Sequence, residues 1–87
     1  MRQDMSKIHI KEIFPDKYSV IIKVDGVLRE ESLSILNDVI HRHLGEGRKT
    51  FLNLEGLVYI TREGREFLKK VQTIIELVNL PPFVGIR

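Results

Sequence analysis

Phe51-Leu52-Asn53-Leu54-Glu55-Gly56-Leu57-Val58-Tyr59-Ile60-Thr61-Arg62-Glu63-Gly64 is the stretch on which the fold turns. Leu52 and Leu54 fall on one side of an extended chain and Phe51 and Asn53 on the other, the alternation of a strand over residues 50–54. Leu57, Val58, Tyr59 and Ile60 read as an apolar connection. Thr61 has the side chain of a helix N-cap, because its hydroxyl can accept a backbone N–H from the first turn. Beyond it Phe67, Leu68, Val71, Ile74, Ile75 and Val78 keep a helical period, and nothing between Gly64 and Asn79 breaks it. This predicts a helix over residues 61–78, stopped by Pro81-Pro82, with residues 83–86 as a short last strand. The alternative places that strand within residues 74–80.

Upstream, residues 7–13 alternate, with Ile8 and Ile10 sharing a face as in a half-buried strand. Pro15-Asp16-Lys17 supplies turn chemistry. A second strand follows over residues 18–24, with Val20, Ile22 and Val24 on one face, and the two strands read as a hairpin. Asp25-Gly26 breaks it. From Glu30 the period becomes helical: Leu33, Leu36, Ile40 and Leu44 make one stripe, with Val39 and His43 beside it. Glu30 and Glu31 sit where the helix dipole favours negative charge, and Gly45 and Gly47 mark the end. Strand, helix and strand in this order form a βαβ unit, so the second and third strands should run parallel.

The chain has 87 residues and a formal net charge of +2. That length suits one domain, burying about 60% of its unfolded surface and leaving no room for a deep cleft between domains. Apolar residues make up 43% and charged residues 30%, which speaks against disorder. The slight positive bias does not single out nucleic acid or an anionic membrane. Without cysteine there is no disulfide, no thiol catalysis and no cysteine-ligated zinc. Small secreted domains lean on disulfides, so a reducing cytoplasm is the expectation. Residues 1–7 lack the apolar core of a signal peptide. No apolar run nears the roughly 18 residues of a membrane span, so direct membrane insertion is not expected.

The second strand ends in Val24-Asp25-Gly26-Val27-Leu28, which resembles the Gly-x-Leu before the first helix of STAS domains, the family joining sulfate transporters and anti-sigma-factor antagonists. The segment from Phe51 to Gly64 resembles that family's central signature. There a strand, a small turn and an aromatic-aliphatic pair lead to Asp-Ser-Ser-Gly at the start of the second helix. The similarity runs over residues 7–78. It implies a single STAS-like α/β domain over residues 1–87, with a mixed sheet of about four strands. The implied order is strand, strand, helix, strand, helix, strand, with two helices packed on one face and the family's further C-terminal helix missing.

The resemblance also implies a non-enzymatic bacterial binding module without a cofactor, acting in signal transduction and transcription regulation. Its partners would be an anti-sigma kinase or a STAS-containing assembly; the alternative role is an accessory or scaffold subunit of a transporter or signalling assembly. The implied contact surface surrounds the second helix start: Gly26, Leu28, Tyr59, Thr61, Arg62, Glu63, Gly64 and Arg65. The chain departs from the family at Thr61-Arg62-Glu63-Gly64. Gly64 is kept, Thr61 replaces the aspartate, and Glu63 stands where a partner kinase phosphorylates a serine or threonine. Asn53 replaces an aspartate common in the third strand. A phosphoserine carries about −1.5 to −2 charge, whereas a glutamate carries about −1 permanently. The expectation is that no phosphate switches residue 63, with Thr61 as the alternative phosphorylation position. Glutamate in a first helical turn also has a plain stabilising role, worth about 0.3–1 kcal/mol.

Other chemistry finds less support. His41 and His43 are two apart on a helix and point away from each other, the pattern of a surface pair and not of a metal site. Arg62, Arg65, Lys69 and Lys70 could bind phosphate or nucleic acid, the rival reading. Glu66 stands four residues from both Arg62 and Lys70, as in an exposed helix laced by ion pairs. Ser6, Ser19, Ser32 and Ser34 have no His and Asp partners, and no phosphate-binding glycine loop occurs. Two helices over a four-stranded sheet leave apolar surface or an open edge, so a homodimer or another partner is expected to cover it.

Overall fold

Alternation in the first two strands is what sets the layers of the computed structural model, which describes residues 8–86. β1 (Ile8–Asp16) and β2 (Ser19–Leu28) form an antiparallel hairpin in which Ile10 pairs with Val24 and Ile13 with Ile21. The readings placed on residues 1–7 lie outside the described residues. The turn closes later than expected, because Asp16 still pairs with Ser19. The Asp16 carboxylate accepts the Tyr18 N–H at 2.8 Å, the local bond that suits aspartate to turns. Val20, Ile22 and Val24 are fully buried on one face of β2.

α1 (Glu30–Gly45) and β3 (Lys49–Ile60) complete the βαβ unit, with β3 parallel to β2. Leu36 and Ile40 of α1 pack into the same core as Leu52 and Leu54 of β3. β3 does not stop at residue 54: Leu57, Val58, Tyr59 and Ile60, read as a connection, are its last residues. Two register shifts allow this. Lys23 pairs with Asn53 but Asp25 with Gly56, and Gly26 pairs with Leu57 but Val27 with Tyr59. Each shift adds one residue to β3, as a β-bulge does. Gly56 permits the first, since a Cβ there would lie 1.6 Å from an Asp25 carboxylate oxygen. Nor does Asp25-Gly26 end β2. Gly26, at φ 105°, carries the strand on to Leu28.

α2 (Arg62–Val71) ends at Val71 and not near Val78. Thr73 donates its hydroxyl to the Lys70 carbonyl at 2.7 Å, and the N–H groups of Ile74 and Ile75 both meet the Val71 carbonyl at 2.9 Å. Three β-branched residues in succession, Thr73-Ile74-Ile75, favour leaving the helix. The strand is found in the alternative position: β4 (Glu76–Val78) pairs parallel with β3. Residues 83–86, expected as that strand, form none: Pro82–Val84 is a 3-10 turn, and Val84 and Ile86 are buried. A short apolar run fits both periods, so periodicity alone does not separate them.

The sheet order is β1-β2-β3-β4, mixed as expected. One continuous core joins Val20, Ile22, Val24, Leu52 and Leu54 of the sheet to Leu36, Ile40, Leu68 and Val71 of the helices, so both helices lie on one face. The molecule is a slab of 35 × 35 × 19 Å, the thickness of one sheet and one helix layer.

Candidate functional site

The Leu28 carbonyl, at the end of β2, organises the start of α2. It accepts the Thr61 N–H at 3.0 Å and the Thr61 hydroxyl at 3.4 Å. The same hydroxyl oxygen accepts the Gly64 N–H at 3.1 Å, which is the N-cap expected from the sequence. Gly64 fits because it has no side chain: a Cβ would lie 2.8 Å from the Leu28 carbonyl oxygen and 2.9 Å from Ile60 Cγ1. The first turn of α2 therefore rests directly on the end of β2.

Around this ledge Tyr59 is 54% exposed and Val58 70% exposed, and Arg62 and Glu63 are exposed. Glu63 sits in the first turn of α2 and Lys69 and Lys70 in the last, the arrangement the helix dipole favours. Gly26 and Thr61 are half-buried, while Leu28 and Gly64 are buried. Only the carbonyl of Leu28 reaches the ledge. Arg65 is half-buried and donates its Nε–H to the Val84 carbonyl at 2.7 Å, tying down the C-terminal segment. Glu66 pairs with Lys69 at 3.5 Å, not with Arg62 or Lys70 as the spacing suggested. A depression of about 260 Å³ lies between α1 and α2, lined by Leu33, Arg62, Glu63, Glu66, Phe67 and Lys70.

At the far end of α1 the structure corrects the reading of His41 and His43 as a surface pair. His41 is exposed, but His43 is 2% exposed. The Arg48 guanidinium can only donate, so it fixes Nδ1 as the acceptor at 3.0 Å. Nε2–H then donates to the Glu12 carboxylate at 3.1 Å. Glu12 also takes a hydrogen bond and ion pair from Arg42. That bond is the main cause holding the Glu12 carboxyl below its ordinary pKa. Burial opposes it, and His43 adds to it. The Phe14 ring meets His43 edge-on at 5.8 Å. The clue in the sequence was position: His43 follows Leu36 and Ile40 at helical spacing.

Among the described residues no group of three or more His, Cys, Asp or Glu is placed to hold a metal ion. No helix among them is long and apolar enough to cross a membrane.

No family model and no curated protein matches the chain. Among solved structures, it is similar to an uncharacterized DUF3478-family protein from Shewanella loihica, described as having a SpoIIAA-like fold. The TM-score is 0.59 at 14% identity, covering 84% of this chain and 62% of the other. The chain thus has a SpoIIAA-like fold.

Proposed function

We propose that this chain is a non-enzymatic protein-docking module of the anti-sigma-factor-antagonist type, working in a bacterial cytoplasm and meeting its protein partner at the start of α2. One observation carries the reading. Exposed Val58 and Tyr59 stand beside exposed Arg62 and Glu63 in one short stretch fixed to the end of β2. Aromatic and arginine side chains on a rigid base are what protein interfaces use as anchors. Gly26, Leu28, Thr61 and Gly64 shape this base, and Arg65 braces it from the side. The Glu63 charge is permanent, so the module holds one binding state with no phosphate at residue 63. The Thr61 hydroxyl, the alternative acceptor, is taken up by two hydrogen bonds, and a phosphate there would break the helix cap. An accessory or scaffold role in a transporter or signalling assembly uses the same surface. The phosphate or nucleic-acid reading is weakened because Arg65 is committed to Val84 and Lys69 to Glu66.

The test is a pull-down from a bacterial cytoplasm with the immobilised chain, followed by titration of the purified partner. Tyr59→Ala is expected to weaken binding about tenfold or more, and Glu63→Ser to shift it measurably. Equal affinity for the original chain and both variants moves the contact elsewhere. A regulatory phosphate on Thr61 overturns the single binding state.

A further inference from the structure

The docking surface proposed at the start of α2 makes no use of buried His43, whose two ring nitrogens are held under different conditions. Nε2–H donates to the Glu12 carboxylate on β1, and Nδ1 accepts from the Arg48 guanidinium in the turn before β3. A guanidinium is always charged and has no acceptor, so the Arg48 bond exists only while Nδ1 carries no proton. The Glu12 bond has no such condition, because a carboxylate accepts from the neutral ring and from the imidazolium alike. From α1 itself, Arg42 comes within 3.5 Å of Nε2. Among the described residues Glu46 reaches the ring only through Arg48. β2 turns the fully buried Val20 and Ile22 to the core. Lys17 of the hairpin turn and Lys49 of β3 stand over the rings of Tyr18 and Phe51. Two carboxylates thus face two guanidinium groups, and the cluster is neutral only while the ring is. Arg48 also covers the Phe14 ring at 5.4 Å, and it walls a hollow of about 610 Å³ lined by Leu44 and Gln72 at the ends of the two helices.

We propose that His43 and Arg48 form a proton-operated latch: a proton on Nδ1 expels Arg48 and opens the end of α1, leaving the start of α2 unchanged. Of the two partners of the ring, Arg48 is the one that yields. Glu12 gains from the charge of an imidazolium, whereas Arg48 then faces a like charge and a donor set against its own donor. Arg48 has a way out. Its side chain is 28% exposed and that of Glu46, its other partner, 51% exposed, so the pair swings towards solvent together. Phe14 loses its cover, and water enters to accept the new Nδ1–H, which a buried donor requires. The start of α2 is held by backbone groups and a threonine hydroxyl, none of which titrates between mild acid and neutrality.

Nitrogen-15 NMR of the full chain from about pH 8 to about pH 5, the range in which histidines change charge, tests this. At the upper end Nε2 is expected to carry the proton and Nδ1 none. As pH falls, protonation of Nδ1, loss of the Arg48 guanidinium signal and a shift of the Phe14 ring signals are expected to follow one curve, while the Gly64 amide stays in place. In Arg48→Gln the neutral amide turns either its N–H or its carbonyl to Nδ1, so His43 is expected to titrate with Phe14 unmoved. Glu12→Gln still accepts from Nε2–H and is expected to keep the coupled transition, which separates it from titration of Glu12. Four results overturn the proposal: a proton on Nδ1 at about pH 8, a ring still unprotonated at about pH 5, Arg48 and Phe14 signals that stay fixed while His43 titrates, or a Phe14 shift that survives Arg48→Gln.

Discussion

The two helices are fastened to the sheet at opposite ends and by opposite means. At the start of α2 the fastening is backbone: the Leu28 carbonyl, the Thr61 cap and a glycine that lets them touch. At the end of α1 it is charge: Glu12 reaches from β1 to Arg42 and His43, with Arg48 behind the ring. Short backbone contacts inside the fold are indifferent to salt and proton concentration. Charged pairs near the surface are sensitive to both. A surface that must present the same shape to a partner under changing conditions is better built on the first kind.

The variant that breaks this contrast most severely is Gly64→Ala. The added methyl meets backbone and a core side chain, which do not yield easily, so a loss of about 2–3 kcal/mol is expected in chemical denaturation. The loss should be the same in acid and at neutral pH.

Glu12→Gln probes the other end. It leaves Arg42 without its anion and weakens the bond from His43, for an expected loss of about 1–2 kcal/mol near pH 7. The sign of the pH effect follows from the lowered Glu12 pKa. The stabilisation is complete above the ordinary glutamate range and is lost as pH falls through the folded value. Denaturation curves of the original chain and the variant should therefore converge only in acid, as pH falls through the lowered folded value of Glu12. A constant gap would show that Glu12 acts through packing instead.

Thr61→Ala is the mildest test. Removing the cap is expected to cost about 1 kcal/mol, and Thr61→Ser should recover most of it. A negligible loss would assign the rigidity of this end to Gly64 alone.

Legibility in the sequence followed the range of the interactions. α1 was readable because its stripe, its acidic first turn and its closing glycines are local signals. Thr61 was readable as a cap for the same reason. The extension of β3 was not, because Glu55-Gly56 has the composition of a break. It is a crossing point only once the Asp25 carboxylate lies against Gly56. The end of α2 was blurred because Ile74, Ile75 and Val78 fit a helix, while Ile75 and Leu77 fit a strand equally well. Sheet pairing with Leu52 decided between them. At the site, the sequence pointed to Tyr59, Arg62 and Glu63. It gave no sign that Arg65 would turn to Val84, and for the burial of His43 behind Phe14 only the helical spacing from Leu36 and Ile40.

The Leu28–Thr61 contact joins positions 33 apart in the chain. A peptide cut from residues 57–71 would carry the tyrosine, the arginine and the glutamate but no ledge to hold them. Its helix, shorter than the roughly 12–15 residues that isolated helices need, would fray in water. The proposed docking surface is therefore a conformational epitope. Linear mimics should compete poorly for a partner, and antibodies raised against such a segment should prefer the unfolded chain.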